Sequence, residues 1–181
     1  MPTIAVISDV HGNRRALEAV LADIARRKAD QIVNLGDCAY GPFDPRPVMN
    51  RLIDLQMMTV AGNEDRLLVE AASGATASRT ASFCAKRLSP RQLDWLSRLP
   101  TTQRANAALL FHGTPCDDSH YLLTEVNATG AHTRPLSQVV DLLGALHDRL
   151  FLCGHDHTPR MVTLENGIQG VNPGSVGCPA Y

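Results

Sequence analysis

The chain has 181 residues and a formal net charge of −1, with 44% hydrophobic and 19% charged residues. That length suits a single domain with a sizeable core, taken here to run over residues 1–181. The near-zero charge argues against a protein that grips nucleic acid by electrostatics alone, and no stretch reaches the roughly 18 apolar residues of a membrane span.

The first sixty residues alternate strand and helix. Residues 3–7 form a short apolar run of the kind found in buried parallel strands. Residues 9–12 make a turn, Asn13 is a helix N-cap, and Leu17, Val20, Leu21 and Ile24 then recur at helical spacing. A second strand is expected over 32–35, a helix over 46–55 after a proline-rich turn, and a third strand over 57–61. The βαβαβ order points to α/β with a parallel sheet. Residues 64–97 carry a helical signal that fits either a lid or a packed layer, with a helix start at Ser89-Pro90-Arg91-Gln92. Strands are expected over 107–111 and 150–153, with a helix over 137–146 between them. Residues 161–164 and 168–171, joined by Glu165-Asn166-Gly167, read as a hairpin. Two facing sheets with helices outside would satisfy both halves of the chain.

The five cysteines, Cys38, Cys84, Cys116, Cys153 and Cys178, are scattered and form no CxxC pair. A disulfide framework or zinc ribbon is not expected, and a reducing, cytoplasmic setting fits best. The N-terminus runs directly into a core strand instead of a charged segment followed by a long apolar run. Arg26-Arg27-Lys28 reads as the basic end of a helix rather than a nucleic-acid patch.

Metal-capable side chains sit just past strand ends. Asp9 and His11 follow the first strand, Asp37 the second and Asn63 the third, while His112 follows the strand over 107–111 and His155 and His157 that over 150–153. The carboxyl edge of an open α/β sheet is where such sites assemble. Carboxylate, amide and imidazole donors together suit two divalent ions, manganese first, then iron, zinc or nickel. Two ions about 3.5–4 Å apart could lower the pKa of a water between them to about 7 for in-line attack on phosphorus. Cys38, beside Asp37, reads as a packing residue, and His120, His132 and His147 as surface residues.

Asp9-Val10-His11-Gly12-Asn13, Gly36-Asp37, Gly62-Asn63-Glu64-Asp65, His112-Gly113-Thr114-Pro115 and Gly154-His155-Asp156-His157 resemble, in order, the five motifs of the calcineurin-like metallophosphoesterases. Asn172-Pro173-Gly174-Ser175-Val176-Gly177 and the helix before Pro100 are similar to features of its small bacterial phosphodiesterase branch. The resemblance implies a four-layer αββα sandwich of two mixed β-sheets flanked by helices. It also implies a soluble enzyme acting on a small phosphate ester, most simply a phosphodiester. It assigns Asp9, His11 and His157 to one metal and Asn63, His112 and His155 to the other, with Asp37 bridging. Asp37, Asn63 and His112 form the expected catalytic set. Asn13 is an N-cap that could also contact phosphate at a helix N-terminus.

Three features depart from the family pattern. Many relatives have His after the motif Asn, where it assists the leaving group; this chain has Glu64. A carboxyl group beside two cations is drawn to its ionised form, so Glu64 is not expected to donate a proton there. Asp156 stands where the family usually has Thr between the two histidines, with little effect expected. Relatives commonly continue into another strand where this chain reaches Tyr181, which leaves one edge of the second sheet open to being incomplete. A phosphoprotein phosphatase is the second reading within enzymes, but Asp37 is followed by Cys38-Ala39-Tyr40-Gly41, without that group's Asp-Arg-Gly. A metal-free scaffold ranks lower because all seven candidate ligands are present. The sequence leaves an oligomer open.

Overall fold

The computed structural model describes residues 3–75 and 78–180. Residues 76 and 77 of the long helical stretch, and the chain end at Tyr181, lie outside the described residues. Strands β1 (Ile4–Ile7), β2 (Gln31–Asn34) and β3 (Met58–Thr59) pair parallel in that order. Helices α1 (Arg14–Arg27) and α2 (Arg46–Leu55) make the crossovers. A five-stranded mixed sheet contains β4 (Thr102–Ala105), β5 (Ala108–Phe111), β8 (Leu150–Leu152), β9 (Arg160–Thr163) and β10 (Gln169–Asn172), in the order β4-β5-β8-β10-β9. Its central strands β5, β8 and β10 are parallel, and β4 and β9 run antiparallel at the two edges. A separate hairpin joins β6 (Thr124–Asn127) to β7 (Gly130–Thr133).

Period-two alternation builds the layers. Leu109, Phe111, Phe151 and Cys153 pack with Val139 and Leu143 of α6 (Leu136–Leu143) on one side of the mixed sheet. Ala108, Leu110 and Leu152 face the other way and meet Val33, Leu35 and Val60 of the parallel sheet. Ile7 and Leu17, Leu21, Val48, Met49, Leu52 and Leu68 form the core between the parallel sheet and its helices. The order is therefore helices, sheet, sheet, helix, the αββα sandwich expected from the sequence. Gly170 lets the sheet close over Phe151, because a Cβ at that position would strike the Phe151 ring.

The stretch over 64–97 resolves into α3 (Asn63–Ala72), α4 (Arg79–Ala85) and α5 (Pro90–Ser97). Leu68, Ala81, Cys84, Leu88 and Leu96 are buried in the shared core, so this region is a packed layer and not a lid. Ser89 and Gln92 form the expected capping box. Strand β4 and the β6–β7 hairpin had no counterpart in the sequence expectations: Thr102-Gln103-Arg104-Ala105 lacks a run of apolar residues, and every residue of β7 is exposed. Among the described residues no helix is long and apolar enough to cross a membrane.

Candidate metal centre

The loops that follow β1, β2, β3, β5 and β8 meet at one edge of the sandwich and bring all seven metal-capable residues into one neighbourhood. Asp9, His11 and His157 form one cluster, and Asp37, His112 and His155 a second. His11, Asp37 and Glu64 form a third that ties the two together. Asp9 Oδ1 lies 3.2 Å from His157 Nε2, 3.8 Å from His11 Nε2 and 3.9 Å from His112 Nε2. Asp37 Oδ2 is 3.3 Å from His112 Nε2. Asn63 opens α3 at the same edge.

The backbone is strained where these side chains emerge. Asp9, His11, Asp37, His155 and His157 all adopt positive φ, between 48° and 72°. Non-glycine residues rarely occupy that region, and such strain persists where surrounding bonds over-determine it. Those bonds are present: Asp9 N–H donates to Gly36 O at 3.0 Å and His11 N–H to Asp37 O at 3.0 Å. His155 N–H donates to Asp9 Oδ2 at 3.2 Å. Close packing leaves no room for side chains beside them. A Cβ at Gly62 would collide with the Asp37 carboxylate, and one at Gly154 with Ser8 Oγ.

Each histidine has one ring nitrogen fixed by a backbone carbonyl. His11 Nδ1 contacts Tyr40 O at 2.9 Å, His112 Nδ1 contacts Leu35 O at 2.7 Å and His157 Nδ1 contacts Cys178 O at 2.5 Å. A carbonyl only accepts, so Nδ1 carries the proton and, in the neutral ring, Nε2 presents its lone pair to the cluster. His155 is reversed, with Nε2 on Ser119 O at 3.0 Å. Three lone pairs and two carboxylates facing one another repel unless cations lie among them. Asp9 Oδ1, Asn63 Oδ1 and His112 Nε2 are buried without a hydrogen-bond partner. Orphaned buried atoms of these types are what a metal site needs, so the donor set fits divalent cations.

Protons bear this charge pattern in the metal-free protein. Burial opposes protonation of His112, but the adjacent Asp37 and Asp9 carboxylates outweigh it and hold its pKa up to about 10. His11, likewise opposed by burial, is raised to about 9 by Glu64, Asp37 and Asp9. Asp37 falls to about 2, because His112 and His11 overcome the effect of its burial. Metal binding must therefore displace protons from His11 and His112. Apparent affinity is expected to rise with pH up to about 9, by as much as about tenfold per unit for each proton displaced. Competition titration against a chromophoric chelator between pH 6.5 and 8.5 checks this, and a flat profile would contradict it. In the metal-free protein the same raised pKa values stabilise the fold fully below the ordinary histidine value of 6.5. That contribution is lost as pH rises through about 9 and 10.

Several supporting residues had no role assigned from sequence. Asp65 is buried and accepts from Asp37 N–H, Cys38 N–H and Gly62 N–H at 2.9, 2.9 and 3.0 Å, which fixes the Asp37 loop. Burial and the nearby Asp37 charge raise its pKa to about 6. Asp156 accepts from Thr124 Oγ1 at 2.7 Å and Asn172 Nδ2 at 2.8 Å, so the position read as neutral braces the His155–His157 loop. Asn172 also donates to Gly154 O at 2.8 Å, and Ser175 Oγ to Asp9 O at 2.8 Å; these bonds give the tail motif its purpose. Tyr121 stacks on His155 with ring centroids 4.4 Å apart. Arg66 grips Asp118 at 2.7 Å and Ser119 Oγ at 3.2 Å, anchoring the loop whose Ser119 carbonyl meets His155. Glu64 Oε2 lies 3.1 Å from His11 Nδ1, and its burial raises its pKa despite that contact.

Asn13 caps α1 by accepting Ala16 N–H at 3.1 Å, while its amide donates to Gly177 O at 3.3 Å. Both ends of the side chain are thus engaged, and Asn13 does not line the site cavity. Cys38 is buried and accepts from Asn34 Nδ2 at 3.4 Å, consistent with packing. His120, His132 and His147 are exposed.

The fold and the clustered donors together define the class. The calcineurin-like phosphoesterase superfamily domain matches residues 3–180, and the chain belongs to that superfamily of phosphoester hydrolases. It is similar to a metallophosphoesterase from Sphaerobacter thermophilus, with 27% identity and a TM-score of 0.77 over 97% of this chain and 77% of that one. Its fold also resembles that of Yfce, a phosphoesterase from E. coli, at 22% identity and a TM-score of 0.59, covering 98% of this chain and 82% of the other. An uncharacterized protein of Methanocaldococcus jannaschii is 44% identical over 62 residues, which span 34% of this chain and only 26% of that protein.

Proposed function

We propose that this chain hydrolyses phosphodiesters with two divalent cations. One would be held by Asp9, His11 and His157, the other by Asn63, His112 and His155, with Asp37 shared. The observation that carries this reading is the group of orphaned buried donors, Asp9 Oδ1, Asn63 Oδ1 and His112 Nε2, beside two Asp/His clusters linked through Asp37. The mixture of oxygen and imidazole donors puts manganese first, ahead of iron, zinc or nickel. When bound, two such ions neutralise phosphate oxygens and bring the pKa of water to about 7. The protein's own part is to fix the donors. Carbonyls of Tyr40, Leu35, Cys178 and Ser119 orient the four imidazoles, and Asp65 and Asp156 brace the loops. Such outer partners typically change metal affinity or activity by about 10–100-fold.

Charge favours a diester over a monoester. The cavity at the site, about 260 Å³, is lined by His11, Asp37, Asn63, Glu64, Tyr121, His155, Asp156, His157 and Ala180, and among the described residues these bring three carboxyl groups and no Lys or Arg. The charge of two divalent cations is largely taken up by these carboxylates, and no cationic side chain is left beside them to balance the second negative charge of a monoester, so a singly charged diester suits the site better. The five cysteines are unpaired, which supports the reducing, cytoplasmic setting. With Mn²⁺ supplied, kcat/KM for bis(p-nitrophenyl) phosphate is expected to exceed that for p-nitrophenyl phosphate by about tenfold or more, a difference of about 1.4 kcal/mol. Preference for the monoester would overturn the diester reading.

Glu64 supports His11 in this account rather than protonating the leaving group. Glu64→Gln should weaken metal retention by about 10–100-fold. Once metal is saturating, the ratio of aryl to alkyl ester turnover should remain that of the wild type. A selective collapse of alkyl-ester hydrolysis in Glu64→Gln would make Glu64 the acid instead.

A further inference from the structure

A second cavity opens directly from the metal centre and differs from it in chemistry. It has about 510 Å³, roughly twice the volume at the site, and shares His11, Glu64 and His157 with it. Tyr40, Gly41, Pro42 and Phe43, from the segment between β2 and α2, form one wall; Thr80, Gly177 and Cys178 complete the lining. Among the described residues no Lys or Arg lines it, and the one carboxylate is Glu64 at the shared boundary.

This wall is held in place before any ligand arrives. The Tyr40 carbonyl meets His11 Nδ1 at 2.9 Å, and the Tyr40 hydroxyl lies 3.3 Å from Ser78 Oγ. Gly41 packs so closely on His11 that a Cβ there would come within 2.6 Å of the His11 carbonyl oxygen. Cys84 Sγ–H donates to Gly41 O at 3.4 Å from the helical layer beneath. Phe43 is nonetheless 45% exposed, an aromatic face left to solvent at the mouth of the site. Scattered exposed apolar residues need no explanation, but this one lines a rigid cavity contiguous with the candidate reaction centre.

We infer that the groove walled by Tyr40, Pro42 and Phe43 receives an uncharged planar ring carried on one ester arm of the substrate's phosphate. This rests on the phosphoesterase reading above and specifies its substrate class. The volume fits a substituent far larger than a methyl group, since small-molecule sites span about 300–1,000 Å³. The exposed Phe43 ring favours a planar partner, which it can meet face to face or edge to face, with Tyr40 and Pro42 beside it in the wall. The absence of Lys and Arg from the lining disfavours a second phosphate in the groove, so an aryl or nucleoside diester fits and a polyphosphate chain does not. The ring would be the group that orients the phosphate across the site, paid in binding energy remote from the reacting atoms.

Titration calorimetry of the manganese-loaded protein with phenylphosphonate, cyclohexylphosphonate and methylphosphonate reads the groove without any turnover. Phenylphosphonate is expected to bind about tenfold more tightly than methylphosphonate, with cyclohexylphosphonate between them. Phe43→Ala should bring the phenyl-to-methyl ratio close to one. Met161→Ala, which removes an apolar side chain 78% exposed on edge strand β9, should leave the ratio unchanged. Equal or absent binding of the three phosphonates, tighter binding of the cyclohexyl compound, or a ratio that survives Phe43→Ala would overturn the inference. The two readings fail separately. Selective phenylphosphonate binding by a protein that hydrolyses no phosphodiester would keep the groove and remove the enzyme. Equal kcat/KM for phenyl and methyl esters of p-nitrophenyl phosphate would do the reverse.

Discussion

Asp37→Ala is expected to lower metal-dependent turnover by more than about a hundredfold and to weaken both cation sites together. Asp37 is buried, lies 3.3 Å from His112 through Oδ2, and accepts Glu64 N–H at 2.9 Å through Oδ1. It belongs to the cluster with His112 and His155 and also to the one with His11 and Glu64. Loss of an outer partner of a metal ligand already costs about 10–100-fold, so loss of a carboxylate common to both sets should cost more. His157→Ala touches only the cluster with Asp9 and His11 and should weaken one site. Metal titration followed by elemental analysis of both variants separates the two outcomes. Equal, small losses from both substitutions would contradict the assignment of Asp37 as the shared residue.

Gly62→Ala should damage the same centre without removing any donor. The added Cβ would overlap the Asp37 carboxylate oxygen and come within 2.6 Å of Asp37 N and 2.8 Å of its Cγ. Asp65 holds the Asp37 loop through the Asp37 and Cys38 amides and also binds the Gly62 amide, so the clash cannot be relieved by rotating one side chain. Overpacking of this kind costs about 1–3 kcal/mol of stability, which a domain of this size can survive. The displaced Asp37 should nevertheless lose its place between the clusters, and turnover should fall by about a hundredfold or more. The pair of measurements that checks this is the thermal midpoint and kcat/KM at saturating Mn²⁺. Wild-type turnover in Gly62→Ala would show that the close approach of Gly62 and Asp37 has no catalytic consequence.

Much of the site was legible because its residue types recur at strand ends. Apolar runs ending at Ile7, Leu35 and Phe111 marked the strands, and the polar residues just beyond them converge because parallel strands put their carboxyl ends on one edge. The capping box at Ser89 and Gln92 was legible for a similar reason: it is a local pattern with a local cause. Strand β4 and the β6–β7 hairpin were not, since their sequences are polar or exposed and their pairing partners alone define them. The supports were hidden for the same reason. Nothing local tells that Asn172 reaches Gly154, that Asp65 receives the amides of Asp37 and Cys38, or that Ser119 orients His155. Glu64 read as an ionised acid beside the cations, and its burial, which raises its pKa in the metal-free protein, and its contact with His11 were not visible in the sequence. The positive φ of Asp9, His11, Asp37, His155 and His157 was equally invisible, because those residue types do not advertise left-handed backbone as glycine does.

Elemental analysis of the protein reconstituted with Mn²⁺, paired with a diester assay before and after chelation, tests the central claim most directly. Two ions per chain are expected at saturation, with turnover lost on chelation and restored by Mn²⁺. None or one ion per chain, or turnover unchanged after chelation and dialysis, would contradict a two-cation phosphoesterase built on Asp9, His11, Asp37, Asn63, His112, His155 and His157.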